Sequence, residues 1–303
     1  MSERMGRVFV VGSVNMDLVI GSERQPKIGE TIRGSGFFTN AGGKGANQAV
    51  AARRSGADCV FCAAVGDDMF GKILREGLEG YKVDTRFVQA AANTPSGVAV
   101  INVVGGNNCI ILGEGANGTL DEQSVAACLS EAEAGDILLV QLEIPAKTVL
   151  FALKTGKEKG MVTILNPAPA QGFDAAYLPY TDIITPNETE SEFLSGEKDP
   201  KAAAALLAEK VGCVIVTAGG AGCILSEGGQ TKAYPCPKVK AVDTTAAGDT
   251  FCGAFAARLA KGETKERAIG YALSAASLAV TARGAQQSIP DEEAVARFMR
   301  ENL

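Results

Sequence analysis

The chain of 303 residues carries 29 Lys and Arg against 35 Asp and Glu, a formal net charge of −6, and its pI lies near 5.0. That balance, with the cations dispersed rather than blocked, argues against an electrostatic grip on nucleic acid or on an anionic membrane. There is no histidine, which removes every Ser-His-Asp, Cys-His and histidine-base mechanism and leaves general-base work to a carboxylate, lysine, tyrosine or thiolate.

The N-terminus shows no signal-peptide pattern and no apolar run approaches membrane-span length, so a cytoplasmic protein is expected. Residues 7–12 form a Val-rich strand ending at Gly12, and Asn15 and Asp17 follow directly, where open α/β sheets place ligand groups; an Asx turn explains them equally well locally. Short β-like pieces at 18–20, 31–33 and 36–38 read as an excursion from the main fold. Asn40-Ala41-Gly42-Gly43-Lys44-Gly45-Ala46-Asn47-Gln48 then opens an alanine-rich helix. It fails as a P-loop, because the first glycine of that pattern would fall on Phe38 and Gly45 follows the lysine. What remains is a polar cluster, Lys44, Asn47 and Gln48, over a glycine turn that admits a close ligand.

Residues 59–65 read as a strand, with Asp67 and Asp68 capping a helix over 69–79. Cys59 and Cys62 form a CxxC pair, but in a strand that odd separation points them to opposite faces. With no second pair and no histidine, a structural zinc is not expected, and the eight cysteines read as reduced core residues. Strands at 87–89, 97–103 and 109–112 follow, the last two joined by the hairpin signature Gly105-Gly106-Asn107-Asn108. The two β excursions together suggest a small sheet over a cleft.

A helix over 121–132 precedes a strand over 136–141 that ends in Gln141-Leu142-Glu143. Pro145 starts the next helix, and 161–165 and 182–184 are strands. Asn187 and Glu190 have the spacing of a capping box; the rival reading is a metal and phosphate site. After a strand over 213–217, Ala218-Gly219-Gly220-Ala221-Gly222 suits either a tight hairpin or nucleotide phosphates. Strand pieces at 223–226 and 230–234 complete a meander. Val242-Asp243-Thr244-Thr245-Ala246-Ala247-Gly248-Asp249 then leads into a helix whose free N–H groups can hold an anion beside Asp249. Acidic residues also favour any helix's first turn, and the small residues may serve packing alone. Residues 265–282 form a long helix, 283–288 a loop, and Pro290 leads into a terminal helix. Length allows one large α/β domain or two small ones, and the alternating pattern argues for a parallel or mixed central sheet with helices on both faces.

Over essentially its whole length the chain resembles the ribokinases of the PfkB-type carbohydrate kinase family. The carrying residues are Gly12-Ser13-Val14-Asn15-Met16-Asp17, Gly42 to Ala49, Gln141-Leu142-Glu143, Asn166-Pro167-Ala168-Pro169-Ala170, Thr185 to Glu190, and Asp243 to Phe251. The resemblance implies an α/β three-layer sandwich in a single domain over 1–303, with a β lid from about 15–40 and 95–113. It implies ATP-dependent phosphorylation of D-ribose at the 5-hydroxyl. Asp249 would be the general base, and the backbone of Ala246, Ala247, Gly248 and Asp249 the anion hole. Asn15, Asp17, Gly43, Lys44, Asn47 and Glu143 would hold the sugar; Thr217, Gly220 and Gly222 the nucleotide; and Asn187 and Glu190 a Mg²⁺ through water. A monovalent cation, K⁺, would bind Asp243, Thr245, Ala279, Ala282, Gly284 and Ser288. A homodimer through the lid is expected. Where family members often carry His or Asn near the adenine, this chain has Leu273 or Ser274. The rivals are a same-fold kinase for deoxyribose, a nucleoside or pseudouridine, and a non-catalytic sugar-binding regulator, against which the retained Asp249 argues.

Overall fold

The computed structural model describes residues 5–105 and 107–302. Gly106 of the expected hairpin turn lies outside the described residues, as do the first four. The strands are β1 (Val8–Val11), β2 (Asn15–Ser22), β3 (Ser35–Gly42), β4 (Cys59–Gly66), β5 (Asp84–Ala91), β6 (Gly97–Val104), β7 (Asn107–Gly113), β8 (Ile137–Val140), β9 (Val162–Leu165), β10 (Ile183–Ile184), β11 (Cys213–Thr217), β12 (Cys223–Glu227) and β13 (Gln230–Tyr234). The helices are α1 (Lys44–Arg54), α2 (Met69–Gly80), α3 (Glu122–Leu129), α4 (Ala146–Glu158), α5 (Glu188–Ser195), α6 (Pro200–Val211), α7 (Ala247–Ala260), α8 (Lys265–Ala279) and α9 (Glu292–Asn302).

Nine strands form a large sheet in the order β13-β12-β11-β10-β9-β8-β1-β4-β5. The run from β11 to β5 is parallel, and β12 and β13 add an antiparallel edge. The central strands are apolar on both faces, as a sheet covered by helices on both sides requires. Val8, Val10, Cys59, Phe61, Ile137 and Leu139 enter one core with α1, α2, α7, α8 and α9. Phe9, Val11, Val60, Cys62, Leu138 and Val140 enter the other with α3, α4 and α6. Cys59 and Cys62 thus face opposite layers, as their spacing predicts.

A second sheet of four strands, in the order β3-β2-β6-β7, is built from the two excursions. Strand β2 begins four residues after β1 ends, so the small sheet grows directly out of an interior strand of the large one. It pairs antiparallel with β3 and parallel with β6. One face of β2 carries Asn15 and Asp17; the other sends Met16 and Leu18 into the large core.

The structure corrects several expected elements. Residues 31–33 are not a strand; they lie in an exposed connection that joins no ladder. Pro145 is the N-cap of α4 rather than its first residue. Helix α8 stops at Ala279 rather than 282, because the Thr281 and Ala282 N–H groups turn to the Leu278 and Ala279 carbonyls three residues back, and the Val280 carbonyl accepts the N–H groups of Val242 and Asp243 instead of continuing the helix. Helix α6, capped by Asp199 and opened by Pro200, has no counterpart in the sequence reading.

Candidate active site

The C-terminal ends of β1, β8, β9, β10 and β11 deliver Ser13, Gln141 with Glu143, Asn166, Thr185 with Asn187, and Thr217 with its glycines to one edge of the parallel run. Helices α1 and α7 begin at that edge and cross at close range. A Cβ on Gly253 would lie 2.3 Å from the Gln48 carbonyl and 2.6 Å from Ala51 Cβ, so only glycine allows the approach.

That approach fixes Asp249. Its Oδ2 accepts from Asn47 Nδ2 at 2.9 Å and its Oδ1 from Gln48 Nε2 at 3.0 Å. Behind this pair runs a chain of buried amides. Gln141 Nε2 donates to Gln48 Oε1 at 2.6 Å, Gln48 Nε2 also reaches Asn166 Oδ1 at 3.1 Å, and Asn166 Nδ2 donates to the Thr185 carbonyl. Asp249 is 8% exposed, so two charge-assisted bonds hold its carboxylate in one orientation at the mouth of a helix.

Ala246 precedes that helix in the left-handed region, φ 58°. A non-glycine residue there costs roughly 1 kcal/mol or more, a strain found most often at functional sites. The Ala247 N–H donates to the Thr244 carbonyl at 3.2 Å, so of the expected anion-hole amides this one is engaged. Gly248 has nothing within 4 Å of the position a Cβ would take.

At the glycine turn, Glu143 Oε2 accepts the Ser13 hydroxyl at 2.5 Å and the Lys44 N–H at 3.2 Å, which ties the turn down. Gly43, at φ 90°, sits where a Cβ would meet Val14 Cα and the Asn15 nitrogen at 2.7 Å. Asn15 Oδ1 accepts from Asn117 Nδ2 at 2.7 Å. Asn47 Oδ1 is buried with no partner, an acceptor left free for a donor.

Burial, with Glu143 and Asp249 nearby, pushes the Asp17 carboxyl from 3.8 up to about 7. Burial also works against the Lys44 ammonium, but Asp249, Glu143 and Glu190 overcome it and raise its pKa above the ordinary lysine value. Burial raises Glu190, partly offset by the Asn187 N–H and Lys44.

Two cavities meet over Ala247 and Gly248. The larger, about 450 Å³, is walled by Thr217, Gly220, Gly222, Phe251, Leu273 and Val280. Leu273 lines it; Ser274 is buried and donates to the Gly270 carbonyl, so the position offers the cavity an apolar wall and no polar group. The smaller, about 180 Å³, is lined by Lys44, Asn187, Glu190, Ala246, Gly248 and Asp249. Asn187 and Glu190 do form the capping box, Glu190 Oε2 accepting the Asn187 N–H at 2.8 Å, while both also face this cavity. An amide and a carboxylate over a polar cavity fit a cation that keeps its water.

Asp243 Oδ1 accepts from the Thr245 N–H and hydroxyl, and its Oδ2 from the Gly284 N–H at 3.0 Å. These bonds overcome burial and hold Asp243 below the usual carboxylate range. They join the 243–245 turn to the 283–284 turn; Ala279 accepts from the Ala282 N–H and Ser288 donates to the Ala285 carbonyl. The donors are all oxygens, which fits a hard monovalent cation.

The amide chain of Gln48, Gln141 and Asn166, and the Asn117 and Ser13 supports, were not assigned roles from sequence. Each lies inside a motif noticed there or just beyond a strand end, but only the tertiary contact shows what it touches.

The family model for the pfkB family carbohydrate kinase matches residues 5–292. The chain is 38% identical to a ribokinase of Haemophilus influenzae over 297 residues, covering 96% of this chain and 97% of that protein. It is 34% identical to a deoxyribokinase of Salmonella typhi over 303 residues, covering 97% and 99%. The solved structure of a ribokinase of Arabidopsis thaliana complexed with ribose and ATP superposes with a TM-score of 0.89 at 33% identity, over 98% and 99% of the two chains.

Proposed function

We propose that this chain, which belongs to the pfkB family of carbohydrate kinases, transfers the γ-phosphoryl group of ATP to the 5-hydroxyl of D-ribose. The observation that carries the reading is Asp249, oriented by Asn47 and Gln48 in the wall of the smaller cavity, next to Gly248 where the two cavities meet. In this reading Asp249 accepts the proton of the sugar hydroxyl as that oxygen attacks phosphorus. The backbone amides at the head of α7, with Gly248 and Asp249 leading and Ala246 beside them, stabilise charge on the transferring group. Asn15, Asp17, Gly43, Lys44, Asn47 and Glu143 hold the sugar, and Thr217, Gly220 and Gly222 lie along the nucleotide against the apolar wall of Leu273.

A Mg²⁺ held through water by Asn187 and Glu190 supplies charge neutralisation on the phosphates when bound. Asp243, Ser288 and the carbonyls of Thr245, Ala279, Ala282 and Gly284 would hold a K⁺, which would supply positive charge near the phosphates when bound. The exposed apolar residues of the small sheet, among them Phe37, Phe38, Ile111 and Leu112, support its reading as a lid that pairs with a second copy in a homodimer. The free cysteines suit a cytoplasmic setting, and among the described residues no helix is long and apolar enough to cross a membrane.

The likeness to a deoxyribokinase supports a second reading with 2-deoxyribose as acceptor. A coupled assay over ribose, 2-deoxyribose and nucleosides decides between them. The highest kcat/KM is expected for ribose, and a higher value for any other acceptor overturns the substrate assignment.

A further inference from the structure

Asn40 has no role in the chemistry above, yet its environment is that of a ligand contact. It lies on β3 directly opposite Asp17 of β2, with Ala99 of β6 on Asp17's other side. Side chains of directly paired residues stand on the same face, so Asn40 shares the face of Asp17 and Asn15 rather than that of Met16 and Leu18. Asp17 leans along this face toward Gly42, where a Cβ would come within 2.4 Å of its carboxylate. Asn40 Nδ2 lies 3.8 Å from the position of a Gly284 Cβ, so the amide also comes close to the 283–284 turn.

Asn40 is only 7% exposed, and its Oδ1 is buried without a hydrogen-bond partner. A buried acceptor left unpaired is costly, so native chains rarely keep one that nothing ever satisfies. Asn15 is engaged by Asn117, and Glu143 by Ser13 and Lys44. Among the described residues Asn40 Oδ1, Asn47 Oδ1 and Gln141 Oε1 are the buried amide oxygens without a partner, and of these Asn40 is the one on the strand face of Asp17 and Asn15.

We propose that Asn40 is a specificity-determining residue whose Oδ1 accepts a hydrogen bond from a sugar hydroxyl beside Asp17. This rests on the carbohydrate-kinase reading. A sugar lacking that hydroxyl leaves the acceptor orphaned and is rejected for that reason, as sites built to read a hydroxyl do.

The test is Asn40→Leu, close in size and without the acceptor. Because it removes an unsatisfied polar group, the sugar-free variant melts at or above the wild-type temperature, while KM for ribose rises about tenfold, the scale of one lost hydrogen bond. On this proposal kcat and KM for ATP stay within about twofold of wild type. Among pentoses and deoxypentoses, at least one poor wild-type substrate loses no further kcat/KM, and it identifies the hydroxyl read. An unchanged KM for ribose overturns the proposal, as does a lowered melting temperature with KM for ATP rising in step, the mark of a merely structural residue. Asn40→Ala is the control if the larger side chain fails to fold. Should wild type prefer another sugar, the substrate assignment fails while the Asn40 test runs unchanged on that sugar.

Discussion

At the level of single residues, the site turns on how Asp249 is held and on how many carboxylates share its surroundings. Asp249→Asn keeps the shape and removes the base, so kcat should fall about 10²- to 10⁴-fold with ribose affinity little changed; near-normal turnover in a coupled assay would sink the assignment. Gln48→Met removes one donor to the Asp249 carboxylate, and kcat should drop about tenfold while both KM values hold. Gln141→Met, which touches Gln48 and not Asp249, should lower kcat in the same direction, and the double variant should be no worse than Gln48→Met alone. Full additivity would show that the amide chain does not act as a unit. Asp17 gives a pH signature. The folded state holds a proton that the unfolded chain releases near pH 4, so this group's contribution to stability declines as pH rises from about 4 to about 7 and is constant above that. Asp17→Asn lacks the effect and should be the more stable protein at pH 8, by on the order of a few kcal/mol in chemical denaturation. Equal stability there would contradict it. The sequence made Asp17 and Glu143 legible because each follows a strand end in a recognisable motif, and Asp249 because it lies in the first turn of a helix opened by Ala-Ala-Gly. It left Gln48 without a role, because its partner Asp249 lies 201 residues away and only the crossing of α1 and α7 brings the two together.

Among elements, that crossing is set by small side chains. Two glycines of α7, five residues apart, do opposite things. Gly253→Val would drive a side chain into the Gln48 carbonyl and spread the helices, costing about 1–3 kcal/mol or more and displacing the amides from Asp249, so stability and kcat should fall together. Gly248→Ala meets no protein atom, so melting should be unchanged or raised while kcat drops, because the new methyl faces the larger cavity, the proposed nucleotide site. A Gly248→Ala enzyme with full activity would remove that residue from the phosphate path. Strands with strong apolar runs, such as β1, β4 and β11, were readable because burial on both faces leaves a continuous signal. Helix α6 was not, since its buried face is Ala203, Ala204 and Leu207 and alanine carries little contrast between inside and outside. Beyond the end of α8 the Val280 carbonyl is claimed by the N–H groups of residues 242 and 243, which no local pattern announces.

For the molecule as a whole, the two-sheet architecture followed from the positions of the β excursions, whereas the pairing of β2 with both β3 and β6 required the structure. A homodimer through the small sheet predicts that replacing Phe37 and Ile111 with lysine shifts the species seen by light scattering from two chains to one; a monomeric wild type would exclude it. The cation reading predicts higher activity in K⁺ than in a large organic cation, and Asp243→Ala should abolish that difference. The way the small sheet is attached sets a further relation. Strand β2 leaves β1 across residues 12–14, so that short connection is the natural pivot for any rotation of one sheet against the other. At about 3.3 Å per residue, Asp17 lies roughly 10 Å from it and the far end of β2 roughly 25 Å. A given swing therefore moves the outer rim more than twice as far as the Asp17 carboxylate. The arrangement is a lever with Asn15 and Asp17 near its fulcrum, so on the proposed sugar-binding role large travel at the tip leaves their register on a substrate nearly intact.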